Sequence, residues 1–371
     1  MTEELRPLTS ARGLAAWLVV LYHIRFSIAG LPPPLLAVFA KGYLAVDFFF
    51  LLSGFVIWLS WAERLRDADH AAMHRFWWKR FARVWPLHGV MLAAAVALAL
   101  LLAATGRTDP AAFPFAKLPL HLLLLQNWGF TPALSWNTPA WSISAEAAAY
   151  LLFPLLATTV DWRRLPTAAV LAGIAVPLLL LHVAMTNAGA PTLGWAIPRL
   201  GLVRCLCEFA AGTGVAALWL RWRDRPTLAL VAASSAAIGL TLSAMYALPE
   251  TLVVPAAFAT ALLALALSAG RARNPLEWAP LHYLGRISYA TYLGHWLLFF
   301  AFKLAFVTDP RAVPPALIGA YLLLVLVSSI GLYHLVELPA QRWLTRLPFP
   351  ARNDRGARAL PRDGRENRLL G

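Results

Sequence analysis

Charge is scarce in this chain. Only 13% of its 371 residues are Asp, Glu, Lys or Arg, about half the share of a water-soluble domain. That scarcity excludes an ordinary soluble enzyme. Acidic residues are the rarer sign, 18 against 32 basic, for a net charge of +14. In a soluble chain such an excess would point to nucleic acid. Basic loops on the cytoplasmic face of a membrane protein account for it more simply, and no nucleic-acid partner is expected. Cysteine is nearly absent. Cys205 and Cys207 share one apolar stretch, and side chains two apart on a helix diverge. They are read as small apolar fillers, neither a disulfide nor a metal pair. No half of the chain repeats the other, so the mark of an inverted-repeat transporter is missing too.

Apolar residues, in contrast, make up 60% of the chain, mean hydropathy is +0.63, and there are 16 Trp and 27 Pro. Runs of roughly 18 to 23 apolar residues span a bilayer as helices. Ten such windows lie near 11–29, 43–61, 84–104, 139–160, 167–185, 199–220, 227–246, 251–269, 285–306 and 313–337. The segment KLPLHLLLLQNW, 117–128, is too short to span and is read as interfacial or re-entrant. The expected fold is therefore all-α: a polytopic helix bundle of about ten transmembrane helices in one integral-membrane domain, residues 8–345. A basic tail, 346–371, is expected to be disordered. With the N-terminus inside, the outer loops receive only Arg25, Lys41, Arg107, Lys117, Arg199, Lys303 and Arg311. Arg204 falls within a span, and the other 24 of 32 cations lie inside. That asymmetry fits both termini in the cytoplasm. The SIA triplet at 27–29 resembles the end of a signal peptide. Glu3 and Glu4 before the apolar run, and Tyr22 and His23 within it, speak against cleavage there.

Ionisable residues inside spans are costly, and their default reading is functional. Here they are few: His23, Asp47, Glu146, the i,i+4 couple Arg204 and Glu208, His295, and His334 with Glu337. In RGLAAWLVVLYH, 12–23, a cation and an imidazole flank one apolar helix, about 16 Å apart by helix rise. Counting along the alternating spans places His23, Asp47 and Glu146 at comparable depth in the outer half. An imidazole beside a carboxylate suits general-base work, with the acid orienting the ring. Alone, His23 reads equally well as a helix–helix hydrogen bond. Arg204 with Glu208 reads as a structural intrahelical pair. The run RFWWKRFARVWPLH, 75–88, is an aromatic and basic interfacial anchor, and its arginines also suit a phosphorylated donor.

Six segments in order resemble the bacterial membrane-bound acyltransferase family 3. Arg12 and His23 match its R-x10-H first-helix signature. GYLAVDFFFLLSGFVI, 42–57, is similar to its second-helix block. KRFARVWPLH resembles its R-x-x-R segment at Arg80 and Arg83. NTPAWSISAEAAAYLLFP, 137–154, matches its Trp-Ser-x-Ser-x-Glu block. LGRISYATYLGHW, 284–296, and HLVELPAQRW, 334–343, resemble its late blocks. The family often has a second acid where this chain has Ala147, and no C-terminal esterase-like domain is expected.

The resemblance implies an O-acyltransferase of the bacterial inner membrane, multi-pass among membrane lipids. It implies an acyl-CoA donor, most simply acetyl-CoA, a hydroxyl acceptor on a sugar or glycoconjugate, and no metal. Under it, Arg12, Arg80 and Arg83 would hold the donor, while His23 acts as general base or transient acyl carrier, with Asp47 and Glu146 as orienting acids. Trp141, Ser142, Tyr292 and His295 would contact substrate. The competing class is a proton-coupled transporter or flippase of a glycan or lipid. A third is a membrane partner that binds glycan without catalysis.

Overall fold

The computed structural model describes residues 4–347 apart from 68, 226, 272 and 273. The expected tail lies, from 348 onward, outside the described residues. Among those described, ten helices have 18 residues or more: α1 (Arg6–Ile24), α2 (Ala45–Leu65), α3 (His70–Ala104), α4 (Ala140–Thr159), α5 (Thr167–Asn187), α6 (Ile197–Trp222), α7 (Thr227–Tyr246), α8 (Glu250–Leu267), α9 (Ser288–Phe306) and α10 (Pro315–Leu332). Each overlaps one apolar window, although α1 ends before the window 11–29 does and α3 begins well ahead of the window 84–104. No strand is present among the described residues. One isolated bridge pairs Ile28 with Val313, joining the loop after α1 to the loop before α10.

Seven segments are long and apolar enough to cross a membrane, built on α2, α3, α4, α5, α6, α8 and α10. The protein is therefore a multi-pass helical membrane protein. The three other long helices are α1, α7 and α9, and α7 is apolar over Thr227–Ser243. Helix α1 carries Arg6, Arg12 and His23, and α9 carries His295 and Lys303. The polar residues that dilute α1 and α9 include the pair described below.

Local chemistry sets the ends. Proline occupies the first turn of α1, α6 and α10, where its missing N–H costs nothing. Asp69 caps α3 by accepting from the Ala71 N–H at 3.0 Å. The 117–128 segment forms only a short helix, Leu118–Leu122, and then a loop, as its length demands.

Helix α6 is the central post, with 72% of its apolar window buried, against 22% for the peripheral α5. Its contact with α2 is close enough to need glycine. A Cβ on Gly54 would lie 2.0 Å from the Phe209 carbonyl oxygen, and one on Gly212 would lie 2.0 Å from that of Leu51. Small residues of this kind let membrane helices pack backbone to backbone, where hydrophobic force adds little. This contact lets side chains of α2 and α6 reach each other.

Candidate active site

A cavity of about 180 Å3 opens between α1, α2, α3, α4 and α9. Arg12, Arg80 and Arg83 line it together with Glu146, Ser142 and Tyr292. Residues from four separate sequence segments thus meet in one place.

The three guanidiniums differ in their commitments. Arg12 donates from Nε (3.2 Å) and Nη2 (2.7 Å) to the Gly285 carbonyl. That carbonyl ends the short helix Ala279–Arg286. Arg83 pairs with Glu337 and lies over the Tyr289 ring. Glu337 is delivered by a single π-helical turn, Tyr333–Glu337, which joins α10 to the helix Leu338–Arg346. Such turns are frequent at functional sites because they re-aim one residue. Arg80 lies over the Tyr150 ring at 5.9 Å, and its buried Nε has no hydrogen-bond partner among the described residues. Glu146 lines the same cavity beside Ser53, Tyr150, Arg80 and Arg83. Ser53 Oγ and Tyr150 OH are 3.3 Å apart. Sequence reasoning missed Tyr150, although its place one turn after Glu146 was visible.

The far wall of the cavity is aromatic. Phe49 meets Tyr292 edge-on at 5.7 Å. Tyr292 is anchored by Ser142, 2.7 Å between oxygens, and by the Pro139 carbonyl at 3.1 Å. His295 stands behind Tyr292, with ring centroids 6.3 Å apart.

His23 is bonded to His295, not to a carboxylate. Their nitrogens, His23 Nδ1 and His295 Nε2, are 3.0 Å apart. The tautomers follow from the neighbours. His23 Nδ1 lies 2.9 Å from the Val19 carbonyl, and His295 Nδ1 lies 3.1 Å from that of Thr291. Carbonyl oxygens only accept, so both Nδ1 atoms carry hydrogen in the neutral rings. His295 Nε2 is then the acceptor for His23 Nδ1–H. The lone pair of His23 is left on Nε2, which makes no hydrogen bond among the described residues. His295 is buried at 1% exposure and His23 is half-buried. Trp296 meets the His23 ring edge-on at 5.0 Å.

Several expectations need correction. Asp47 does not orient His23: both its oxygens are taken by Nε and Nη2 of Arg204. Arg204 in turn is paired with Asp47 rather than with its i,i+4 neighbour Glu208. The reason is geometric, because the glycine contact of α2 with α6 brings Asp47 within reach. The pair is sealed, at 0% and 1% exposure. Glu146 sits with the arginines rather than with His23. Trp141 lies off the cavity, under Arg204 at 5.6 Å. His295 contacts His23 itself. Depth counted along the chain does not specify which helix faces meet, and Glu146 lines the arginine cavity, which His23 does not. Among the described residues, no three His, Cys, Asp or Glu stand close enough to hold a metal ion.

An arginine-lined cavity, an aromatic wall and a histidine with an open lone pair are the parts of a candidate group-transfer site in this helical bundle. Comparison with known proteins identifies its class. Residues 8–334 match the family described as an acyltransferase domain. A relative named Acyltransferase MdmB, from Streptomyces mycarofaciens, is 34% identical over 373 residues, covering 92% of this chain and 93% of its own. No solved structure matches. The chain belongs to acyltransferase family 3, and it is an O-acyltransferase.

Proposed function

We propose that the protein moves an acyl group, most simply acetyl, from cytoplasmic acyl-CoA to a hydroxyl of a sugar or glycoconjugate at the bacterial inner membrane. In this reading all ten long helices cross the bilayer and both termini face the cytoplasm. The observation that carries it is the convergence of Arg12, Arg80 and Arg83 on one narrow cavity that ends one side chain short of the histidine pair. Guanidiniums suit the donor's phosphates. A volume of about 180 Å3 is below the range of about 300–1,000 Å3 for drug-sized ligands. It fits the thin arm that carries the thioester and leaves the nucleotide outside. Tyr292 is the side chain between this cavity and the histidine pair.

His23 Nε2 takes the proton of the acceptor hydroxyl. The oxygen attacks the thioester carbonyl, the carbon–sulfur bond breaks, and the leaving thiolate recovers the proton from His23. Through this step Nδ1–H stays on His295 Nε2 and the Val19 carbonyl, which hold the ring and share its transient charge. His295 is a positioning residue in this scheme, and general-base catalysis of this kind contributes about 10²–10⁴-fold.

The donor half is tested by calorimetric binding of acetyl-CoA to the purified protein beside Arg80→Gln. Arg12→Ala is a poorer probe, since Arg12 also ties α1 to Gly285. A hydrogen bond to a charged group is worth about 1.5–3 kcal/mol, so Arg80→Gln is expected to weaken binding roughly ten- to a hundredfold. Equal affinities, or no binding by a folded parent, would overturn the donor assignment.

A further inference from the structure

A second cavity, about 910 Å3, opens on an adjoining face of α1, bounded also by α7, α8 and the start of α2. Its walls are apolar along most of their length, with Leu14 and Leu18 from α1 facing Phe258 and Leu265 from α8. One end is polar. There Lys41 Nζ lies 2.6 Å from Glu250 Oε2, and Tyr43 OH lies 2.6 Å from Glu250 Oε1. Thr192 and Ser243 complete that rim.

The polar end adjoins His23. Ala11, Ala15 and Leu18 line the groove at helical spacing, and Tyr22 is the next residue of that stripe. Its ring packs 5.5 Å from Tyr43 and 5.0 Å from His23. Gly42 on the rim is pressed against α1, since a Cβ there would meet the Leu18 carbonyl oxygen at 2.3 Å and Tyr22 Cβ at 2.9 Å. Tyr22 thus touches both Tyr43, which is bonded to the rim residue Glu250, and the imidazole.

We propose that this groove holds the apolar body of the acceptor, with its hydroxyl-bearing end at the polar rim, across Tyr22 from His23. The acceptor class is an amphiphilic alcohol, a sugar carried on a hydrocarbon anchor. The charge at the rim is already balanced by the Lys41–Glu250 pair, which suits an uncharged hydroxylic head better than a phosphate. The inference rests on the reading of His23 as the base.

The hydrocarbon gains little on moving from bilayer to groove, because lipid is as apolar as leucine. A long chain also concentrates any acceptor in the membrane, so chain length alone is no test. Filling the groove is. The full chain in lipid nanodiscs is given radiolabelled acetyl-CoA with dodecyl or methyl β-D-glucoside, and the parent is compared with Leu14→Trp and Leu18→Trp. Both leucines are exposed to the groove, at 42% and 39%, so tryptophan fills space without displacing the core. The variants are expected to lose about tenfold or more in kcat/KM for the dodecyl glucoside and less than about twofold for the methyl glucoside. Acetyl-CoA binding should not change. Equal effects on both glucosides, or none, would overturn the proposal. A dodecyl glucoside with a mid-chain diazirine gives a readout that needs no turnover. Crosslinks concentrated on the Leu14–Leu18 and Phe258–Leu265 segments support the site, while even labelling that includes α5 means bulk lipid and refutes it. If neither glucoside is acetylated and acetyl-CoA does not bind, the transfer chemistry fails, and the crosslinks still decide the groove.

Discussion

His295→Leu separates a positioning hydrogen bond from mere packing. In the folded protein His295 Nε2 accepts the Nδ1–H of His23 at 3.0 Å. When His23 takes a proton, that bond becomes one to a charged donor, worth about 1.5–3 kcal/mol. Leucine removes the acceptor, so kcat should fall roughly ten- to a hundredfold, since each 1.36 kcal/mol is tenfold. KM for the donor should hold, because His295 is not in the arginine-lined cavity. His295→Gln places a carbonyl oxygen near the lost Nε2 and is expected to recover most of the rate. The assay is steady-state acetyl transfer in nanodiscs, with thermal unfolding to confirm that each variant is folded. Equal losses in the leucine and glutamine variants would refute the positioning role, as would an undiminished rate in His295→Leu.

Other consequences concern the scaffold. Arg204→Met strands Asp47 in the bundle, and breaking a buried pair in this way costs about 3–5 kcal/mol. The double variant with Asp47→Leu should recover most of that loss in thermal unfolding, and a single variant as stable as the parent would contradict the pairing. Gly212→Val drives a side chain into the Leu51 carbonyl, and overpacking costs about 1–3 kcal/mol. Gly319→Ala, with nothing within 4 Å, should cost far less under the same assay. His121, on the short Leu118–Leu122 helix outside the spans, is pushed down to about 4 by burial, with smaller contributions from His88 and Lys117. The fold therefore favours its neutral form, and stability is lost as pH falls from about 6.5 toward 4, where the unfolded chain takes the proton first. His121→Gln should flatten part of that slope between pH 7 and 5, and an unchanged slope would count against it.

The fold was largely legible in the sequence because bilayer thickness makes helix length a property of composition. Every one of the ten apolar windows became a helix, and the short 117–128 segment failed to span. The site was legible as a set of residues, since each ionisable group in an apolar run stood out. Its pairings were not. Arg204 had an acid one turn away yet is bonded to Asp47, 157 positions distant. Glu146 faces arginines, and His23 meets His295. Such choices depend on helix rotation and lateral order, which hydropathy does not encode when lipid and core are equally apolar. Glu337 was visible, but the π turn that aims it at Arg83 was not.

The most direct measurement is transfer of radiolabelled acetyl from acetyl-CoA to dodecyl β-D-glucoside by the purified protein in nanodiscs, parent beside His23→Ala. Transfer by the parent, lost by a factor of about 10²–10⁴ in a variant that still binds acetyl-CoA, is the predicted result. Transfer by His23→Ala at the parent rate would contradict the account.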